Sequence, residues 1–169
     1  KFLKLENYFL KLSYHKEIDT PYDSYISLCN LIKIYNTLTR VEVKSEVIRE
    51  IDFHKQRYAE YIKIDTSDKI KLHSIMEKQD VILNNLYNLK SDYLNELNND
   101  EFFQFCIKHY ESLTTELDYW LTRDHIIRLN QINLWLESVR PIEDSVHFCL
   151  EILRKSSETK EVCAHNGFH

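Results

Sequence analysis

Cys106 and His109 are three residues apart and are the kinds of side chain that could act as a nucleophile and its general base. A reactive thiolate needs an accessible, electropositive environment. This cysteine stands instead among Phe102, Phe103 and Phe105. We therefore predict a buried, unreactive thiol and no catalytic dyad.

The eight histidines do not form the Glu-x-x-His repeat that holds iron in di-iron helical bundles. His54 and His147 fall within helical patterns of the sequence. Histidines in such positions are usually structural side chains that form hydrogen bonds, and we do not expect these two to bind a metal.

Two pairs of carboxylates have the chemistry of general acids and bases. Glu46 and Glu50 lie on a charged face, and Glu143 and Asp144 lie in a first helical turn, where solvation and the helix dipole account for them. The sole glycine, Gly167, excludes the glycine-rich motifs that cradle phosphates or expose a catalytic serine. We expect no active site, no cofactor and no bound metal, and hence no enzyme.

Local positive charge is the remaining chemical feature of the sequence. Basic residues cluster at three places, which are Lys1, Lys4 and Lys11, then Arg40 and Lys44, and then Arg154, Lys155 and Lys160. Such clusters are usually solvated helix faces. The alternative is a basic groove for an acidic peptide, in which arginine gives bidentate hydrogen bonds and lysine a point charge.

The elements that carry these residues are predicted to be helices. The 169 residues include only one glycine and two prolines, too few for the many tight turns of a β-rich fold. We predict an all-α bundle of about six to eight helices. Its helical domain should cover residues 1–160, and residues 161–169 should begin a connection. The net charge of −5 gives no general attraction to nucleic acid, so we expect no such partner.

Apolar residues at helical spacing predict the individual helices. The first covers residues 2–14, and the second begins at Pro21 with Thr20 as its cap. A third helix is predicted over residues 43–62. A long, unbroken fourth helix is predicted over residues 67–98.

The second half of the sequence begins with a capping signal and ends with a corner. Asp100 is placed to cap the fifth helix, and one or two shorter helices follow over residues 120–136. Proline is tolerated in a first helical turn and disfavours helical geometry in the residue before it. Arg140 should therefore end one helix and Pro141 begin the next, with Trp135 packed at the corner.

The cysteines and the apolar runs indicate the compartment. Cys29, Cys106 and Cys149 stand among apolar residues, and Cys163 follows much later, which predicts free thiols in a reducing compartment. No apolar run approaches the roughly 20 residues of a membrane span. We expect a cytoplasmic protein with no membrane partner. The sequence begins within an amphipathic run and without Met, so we expect it to be part of a longer protein.

Five blocks of the sequence, taken in order, resemble those of the ZapD family of bacterial cell-division proteins. They read FLKLENYFLKL, RVEVKSEVIREID, NDEFFQF, WLESVRPIEDSVHFCLEILRKS and NGFH, and together they span almost the whole chain. Lys4 stands where the family has an arginine, while Arg40 and Lys44 fall on matching basic positions. The chain lacks the family's glycine-rich loop before Trp120, and Asp118 replaces a histidine of the family.

The resemblance implies a non-enzymatic partner of the division protein FtsZ. Family members join an α-helical domain to a β-strand domain, which here would lie mostly outside the sequence, and they form homodimers. They bind the acidic and apolar C-terminal peptide of FtsZ through basic residues and bundle its filaments in the Z ring at mid-cell. Our candidates for this contact surface are Lys4, Arg40, Lys44, Arg154 and Lys160, with Lys4 and Arg40 first.

Two other functions are compatible with the residues alone. One is a helical structural module that only associates with copies of itself, its basic residues being merely solvated. The other is a metal enzyme built in the core of a helical bundle, which would need His, Glu or Asp side chains gathered inside that core.

Overall fold

The computed structural model describes residues 1–40, 42–64, 69–112 and 114–165, and their side chains except at 61, 63, 64 and 156–165. Within this part of the chain every regular element is a helix, and the prediction of an all-α fold is confirmed. The helices are α1 (Phe2–Lys16), α2 (Pro21–Arg40), α3 (Val43–Ile64), α4 (Lys69–Asn88), α5 (Asn95–Asn99), α6 (Glu101–His109), α7 (Thr115–Leu121), α8 (His125–Glu137) and α9 (Arg140–His165).

The turn between α1 and α2 is fixed by the residues that the sequence indicates. The backbone amide of Asp23 donates to Thr20 Oγ1 at 3.0 Å, and the Thr20 hydroxyl donates in turn to the Asp23 carboxylate. Pro21 occupies the first position of the helix, where its missing N–H leaves no unsatisfied acceptor. His15 at the end of α1 also contacts Asp23, with 2.7 Å between Nδ1 and Oδ1. The two helices therefore form a tightly closed hairpin.

The prediction of one unbroken helix over residues 67–98 is wrong. α4 ends at Asn88, residues 91–94 form a turn, and α5 begins at Asn95. Ser91 and Asp92 stand at the break, and their short polar side chains favour turns over helix interiors. The Asn95 amide donates to the Asp92 carbonyl at 2.7 Å. This break raises the number of described helices to nine, one above the predicted range.

Asp100 caps α6 as predicted and also holds a tryptophan from a distant helix. One carboxylate oxygen accepts from the Phe103 amide at 2.7 Å, and the other accepts from Trp135 Nε1 at 2.8 Å. The Trp135 ring lies 5.1 Å from the ring of Phe103 and 6.3 Å from that of Trp120, measured between centroids. A single carboxylate thus links the start of α6 to the aromatic cluster in which α8 ends.

The predicted corner after Trp135 exists, but Arg140 does not end a helix there. α8 ends at Glu137, Ser138 and Val139 form a turn, and Arg140 is the first residue of α9. The Val139 carbonyl accepts from the amides of Ile142 and Glu143 at 3.0 Å each. These bonds form the first turn of α9, so the helix begins at Arg140, one residue before the predicted start at Pro141. Proline fits here because it lies in that first turn.

α9 packs against α1, α3 and α4, while α2 packs against α1, α7 and α8. The buried apolar side chains form one continuous core, so the hairpin of α1 and α2 joins the two groups of helices. α9 continues to His165, through part of the predicted connection. Residues 166–169 lie outside the described part.

Candidate interaction surface

Lys4 and Arg40 are both exposed, and both lie at the end of the hairpin opposite its turn. Lys4 belongs to the first two turns of α1, and its Nζ is 5.8 Å from the centroid of the Tyr8 ring. Arg40 is the last residue of α2. Among the described residues, neither of them forms an ion pair with a carboxylate. Both side chains therefore present positive charge to solvent.

A third cation, which is not among the five candidates from the sequence, lies next to Lys4. Lys33 on α2 is exposed, and its Nζ is 5.9 Å from the centroid of the same Tyr8 ring. Lys33 precedes Arg40 by seven residues, or about two helical turns, so both point from similar sides of α2. The seven-residue spacing from Arg40 is the only signal in the sequence that points to Lys33. The contact of Lys33 with Tyr8 depends on helix packing and cannot be read from that spacing.

Lys1, near the start of the same hairpin, forms an ion pair with an acidic residue of α3. Its Nζ lies 2.6 Å from both carboxylate oxygens of Glu46 on α3. Glu42 is exposed just before α3. We call Lys4, Tyr8, Lys33 and Arg40 the hairpin surface.

Lys44, another predicted candidate, is turned to a structural contact. It is half-buried in the first turn of α3, and its Nζ donates to the Leu89 carbonyl just after α4. The last carbonyls of a helix have no partner within it, and a cation near them also complements the helix dipole. Lys44 therefore closes the end of α4, and its ammonium group is already engaged.

Arg154 is likewise engaged, by a carboxylate on α1. Its Nη1 and Nη2 atoms lie 2.9 and 2.6 Å from the two oxygens of Glu6, a bidentate geometry. The hydrogen bond from Arg154 lowers the pKa of Glu6 below its ordinary value. His147 adds a weaker contact, with its Nδ1 3.7 Å from Glu6. The side chain of Lys160, the last candidate, lies outside the described part.

The structure places the thiol of Cys106 where a nucleophile could not work. The side chain is fully buried, and burial raises the pKa of its thiol to about 12. The His109 ring packs against Phe105, with 4.7 Å between centroids. Cys29 and Cys149 are also buried free thiols, as predicted, while the side chain of Cys163 lies outside the described part.

The histidines and acids singled out by the sequence have separate environments. His54 is buried, its Nε2 is 3.4 Å from Glu50, and burial lowers the pKa of its imidazole. His147 is exposed, and burial raises the pKa of Glu143. Over the described residues, no three His, Cys, Asp or Glu side chains are arranged to hold a metal ion. Asp118, which replaces a histidine of the family, is exposed on α7.

A family model described as ZapD, cell division protein, matches residues 3–169 of this sequence. The chain belongs to the ZapD family. Its role accordingly lies in cell division. None of the described helices is both long enough and apolar enough to cross a membrane.

Curated relatives of the ZapD family resemble this chain at low identity over nearly its whole length. The Cell division protein ZapD of Aliivibrio fischeri is 21% identical over an alignment of 178 residues, which covers 99% of this chain and 70% of that protein. The proteins of the same name from Coxiella burnetii and Methylococcus capsulatus are 21% and 23% identical. In both alignments 99% of this chain is covered, with 67% and 68% of those proteins.

Proposed function

We propose that this chain is a non-enzymatic cell-division factor that binds the C-terminal peptide of FtsZ and bundles FtsZ filaments to stabilise the Z ring. Membership of the ZapD family supports a role in division, and the hairpin surface supports an acidic partner. The observation that carries the proposal is the contrast between the cations. Lys44 and Arg154 are engaged within the fold, while Lys4 and Arg40 are exposed and have no carboxylate partner among the described residues.

The proposed binding is electrostatic in origin and bivalent in effect. Exposed lysine and arginine attract a carboxylate-bearing peptide and give a modest affinity that salt weakens. In a homodimer, two such surfaces would bind two filaments, and the second contact would benefit from a high effective concentration. A modest peptide affinity is then enough for bundling. The protein would act in the cytoplasm at mid-cell, where the Z ring forms.

Titration of a synthetic FtsZ C-terminal peptide, followed by calorimetry or NMR, tests this proposal. We expect binding that weakens with added salt, and we expect Arg40→Glu to weaken it at least tenfold, because repulsion replaces attraction at a surface site. Lys78→Glu is the matched control, because it reverses the charge of an exposed lysine outside the hairpin. Lys78 lies on α4, which packs against α3 and α9. A folded protein that binds no peptide at low salt would exclude the proposal.

A helical module that associates only with itself is the second candidate. Three large apolar side chains, Leu3, Leu10 and Tyr14, are each at least 60% exposed along the outer side of α1. Their spacing of seven and four residues places them in one stripe. Sedimentation of FtsZ polymers separates the two functions, because a module of this kind would self-associate without increasing the amount of FtsZ in the pellet.

A further inference from the structure

Two ammonium groups that come from different helices lie close to the Tyr8 ring. Lys4 precedes it by one turn on α1, and its Nζ is 5.8 Å from the ring centroid. Lys33 reaches the ring from α2, with its Nζ at 5.9 Å. The face of an aromatic ring is electron-rich and attracts a cation at this distance. One ring therefore holds two like charges at the seam between the helices.

These two cations have no carboxylate to balance them within the described part of the chain. Each nitrogen lies within 6 Å of the same centroid, so their separation is at most twice that distance. Each ammonium group stands at the end of a flexible four-carbon stem, so both can turn toward one carboxylate beside the ring. The Tyr8 ring is half-buried and packs against the core, which fixes its position.

We propose that Lys4, Tyr8 and Lys33 form a subsite for one carboxylate of an acidic peptide together with its apolar neighbour. This inference rests on the proposed function and adds Tyr8 and Lys33 to its candidate residues. The two ammonium groups take the carboxylate, and the uncovered part of the Tyr8 ring takes the apolar side chain. The Tyr8 ring, which packs against the core, does not have to be ordered before it binds.

The position of Arg40 determines which peptide fits. Arg40 follows Lys33 by seven residues, which corresponds to about 10 Å along the axis of α2. An extended peptide covers that distance in about three residues. The occupant is therefore an extended segment with two acidic residues about three positions apart, one at the subsite and one at Arg40.

Four variants test the subsite through their affinity for the FtsZ C-terminal peptide. Lys33→Ala should weaken binding by about twofold to fivefold, the usual effect of losing one surface charge pair. Tyr8→Leu should weaken it to a similar extent, while Tyr8→Phe should bind like the unaltered chain because it keeps the ring. Lys78→Ala removes an exposed lysine from another helix, α4, and should change nothing.

A second peptide in which the carboxylates are replaced by amides checks the chemistry. The amide peptide should bind the unaltered chain more weakly than the acidic peptide does. It should also bind the unaltered chain and the Lys33→Ala variant with the same affinity. Circular dichroism and urea unfolding establish that each variant is folded. If Tyr8→Leu loses stability, the exposed Lys33 decides the test by itself.

The outcomes separate this inference from the function on which it rests. If Arg40→Glu abolishes binding while Lys33→Ala and Tyr8→Leu bind normally, the subsite is wrong and the proposed function stands. If the unaltered chain binds no FtsZ peptide, both are wrong. A loss with Lys33→Ala and Tyr8→Leu but not with Lys78→Ala supports both.

Discussion

Arg154 on α9 holds Glu6 on α1 through two hydrogen bonds of 2.9 and 2.6 Å. The two residues are 148 positions apart in the sequence, so the pair joins the first helix to the last described one. The Glu6 side chain is only 11% exposed, whereas that of Arg154 is 52% exposed. Arg154 thus belongs to the contact between the helices, and we favour Lys4 and Arg40 as the peptide-binding cations.

Glu6→Gln should lower the free energy of unfolding by about 1 kcal/mol near neutral pH, because a charge-assisted hydrogen bond to a partly exposed arginine is lost. Urea unfolding measures the change. Glu137→Gln is the matched control, since Glu137 pairs with Arg140 at 3.3 Å on an exposed surface. An equal effect of both substitutions would contradict a special role for Glu6.

The stability difference between the unaltered chain and Glu6→Gln should depend on pH in a definite direction. The pKa of Glu6 in the folded protein lies below its ordinary value of 4.5. The contribution of Glu6 to stability is therefore complete above that value, and it is lost as the pH falls through the folded-state pKa. The gap between the unaltered chain and Glu6→Gln should be largest near pH 7 and should shrink at about pH 3.

Lys44→Met should reduce stability without affecting binding of the FtsZ peptide. The substitution leaves the Leu89 carbonyl without its donor, at a cost of about 1 kcal/mol. Lys90→Met, one residue beyond Leu89 and exposed, controls for the loss of a nearby charge. Parallel unfolding and peptide titrations check the prediction. Weaker peptide binding at unchanged stability would instead assign Lys44 to the binding surface.

Arg128→Leu should destabilise the fold by about 3 kcal/mol, since it leaves buried acceptors unsatisfied. The Arg128 side chain is 4% exposed and donates to Ser24 Oγ at 2.9 Å and to the Leu121 carbonyl at 2.8 Å. It also donates to the Arg123 carbonyl. Urea unfolding measures the change. Arg123→Leu is the control, because it removes an exposed side chain but keeps that carbonyl, and it should hardly change the free energy of unfolding.

The buried thiols should be unreactive in the folded protein. Burial raises the pKa of Cys106 and Cys149 to about 12 and also raises that of Cys29. Near pH 8 almost no thiolate exists at any of these positions. The Cys163→Ser variant leaves only these three cysteines for a chromogenic disulfide reagent to modify. The reagent should react very slowly with the folded variant and quickly with all three thiols in urea. Fast reaction of the folded chain would contradict this prediction.

Much of the fold could be predicted because its signals are local. The cap of α2 involves Thr20 and Asp23, and the cap of α6 involves Asp100 and Phe103, each pair three residues apart. Such contacts form wherever the sequence places the residues. The break after α4 is hard to predict because the apolar spacing of α4 and α5 continues across it, although Ser91 and Asp92 mark the turn.

The roles of the basic residues could not be predicted in the same way. Arg154 and Lys44 looked like Lys4 and Arg40 in the sequence, because positive charge alone does not indicate which acceptor is near. Glu6 and Leu89 reach them only through the packing of α1 against α9 and of α3 against α4.

The helical class, most helix starts, the buried thiols and the family follow from local features of the sequence. These depend on residue spacing, on capping side chains and on ordered motifs, all of which are properties of neighbouring positions. Which cations are engaged and which are exposed depends instead on how the helices pack. It also brought Lys33 to the ring of Tyr8, because that contact exists only when α1 and α2 pack side by side.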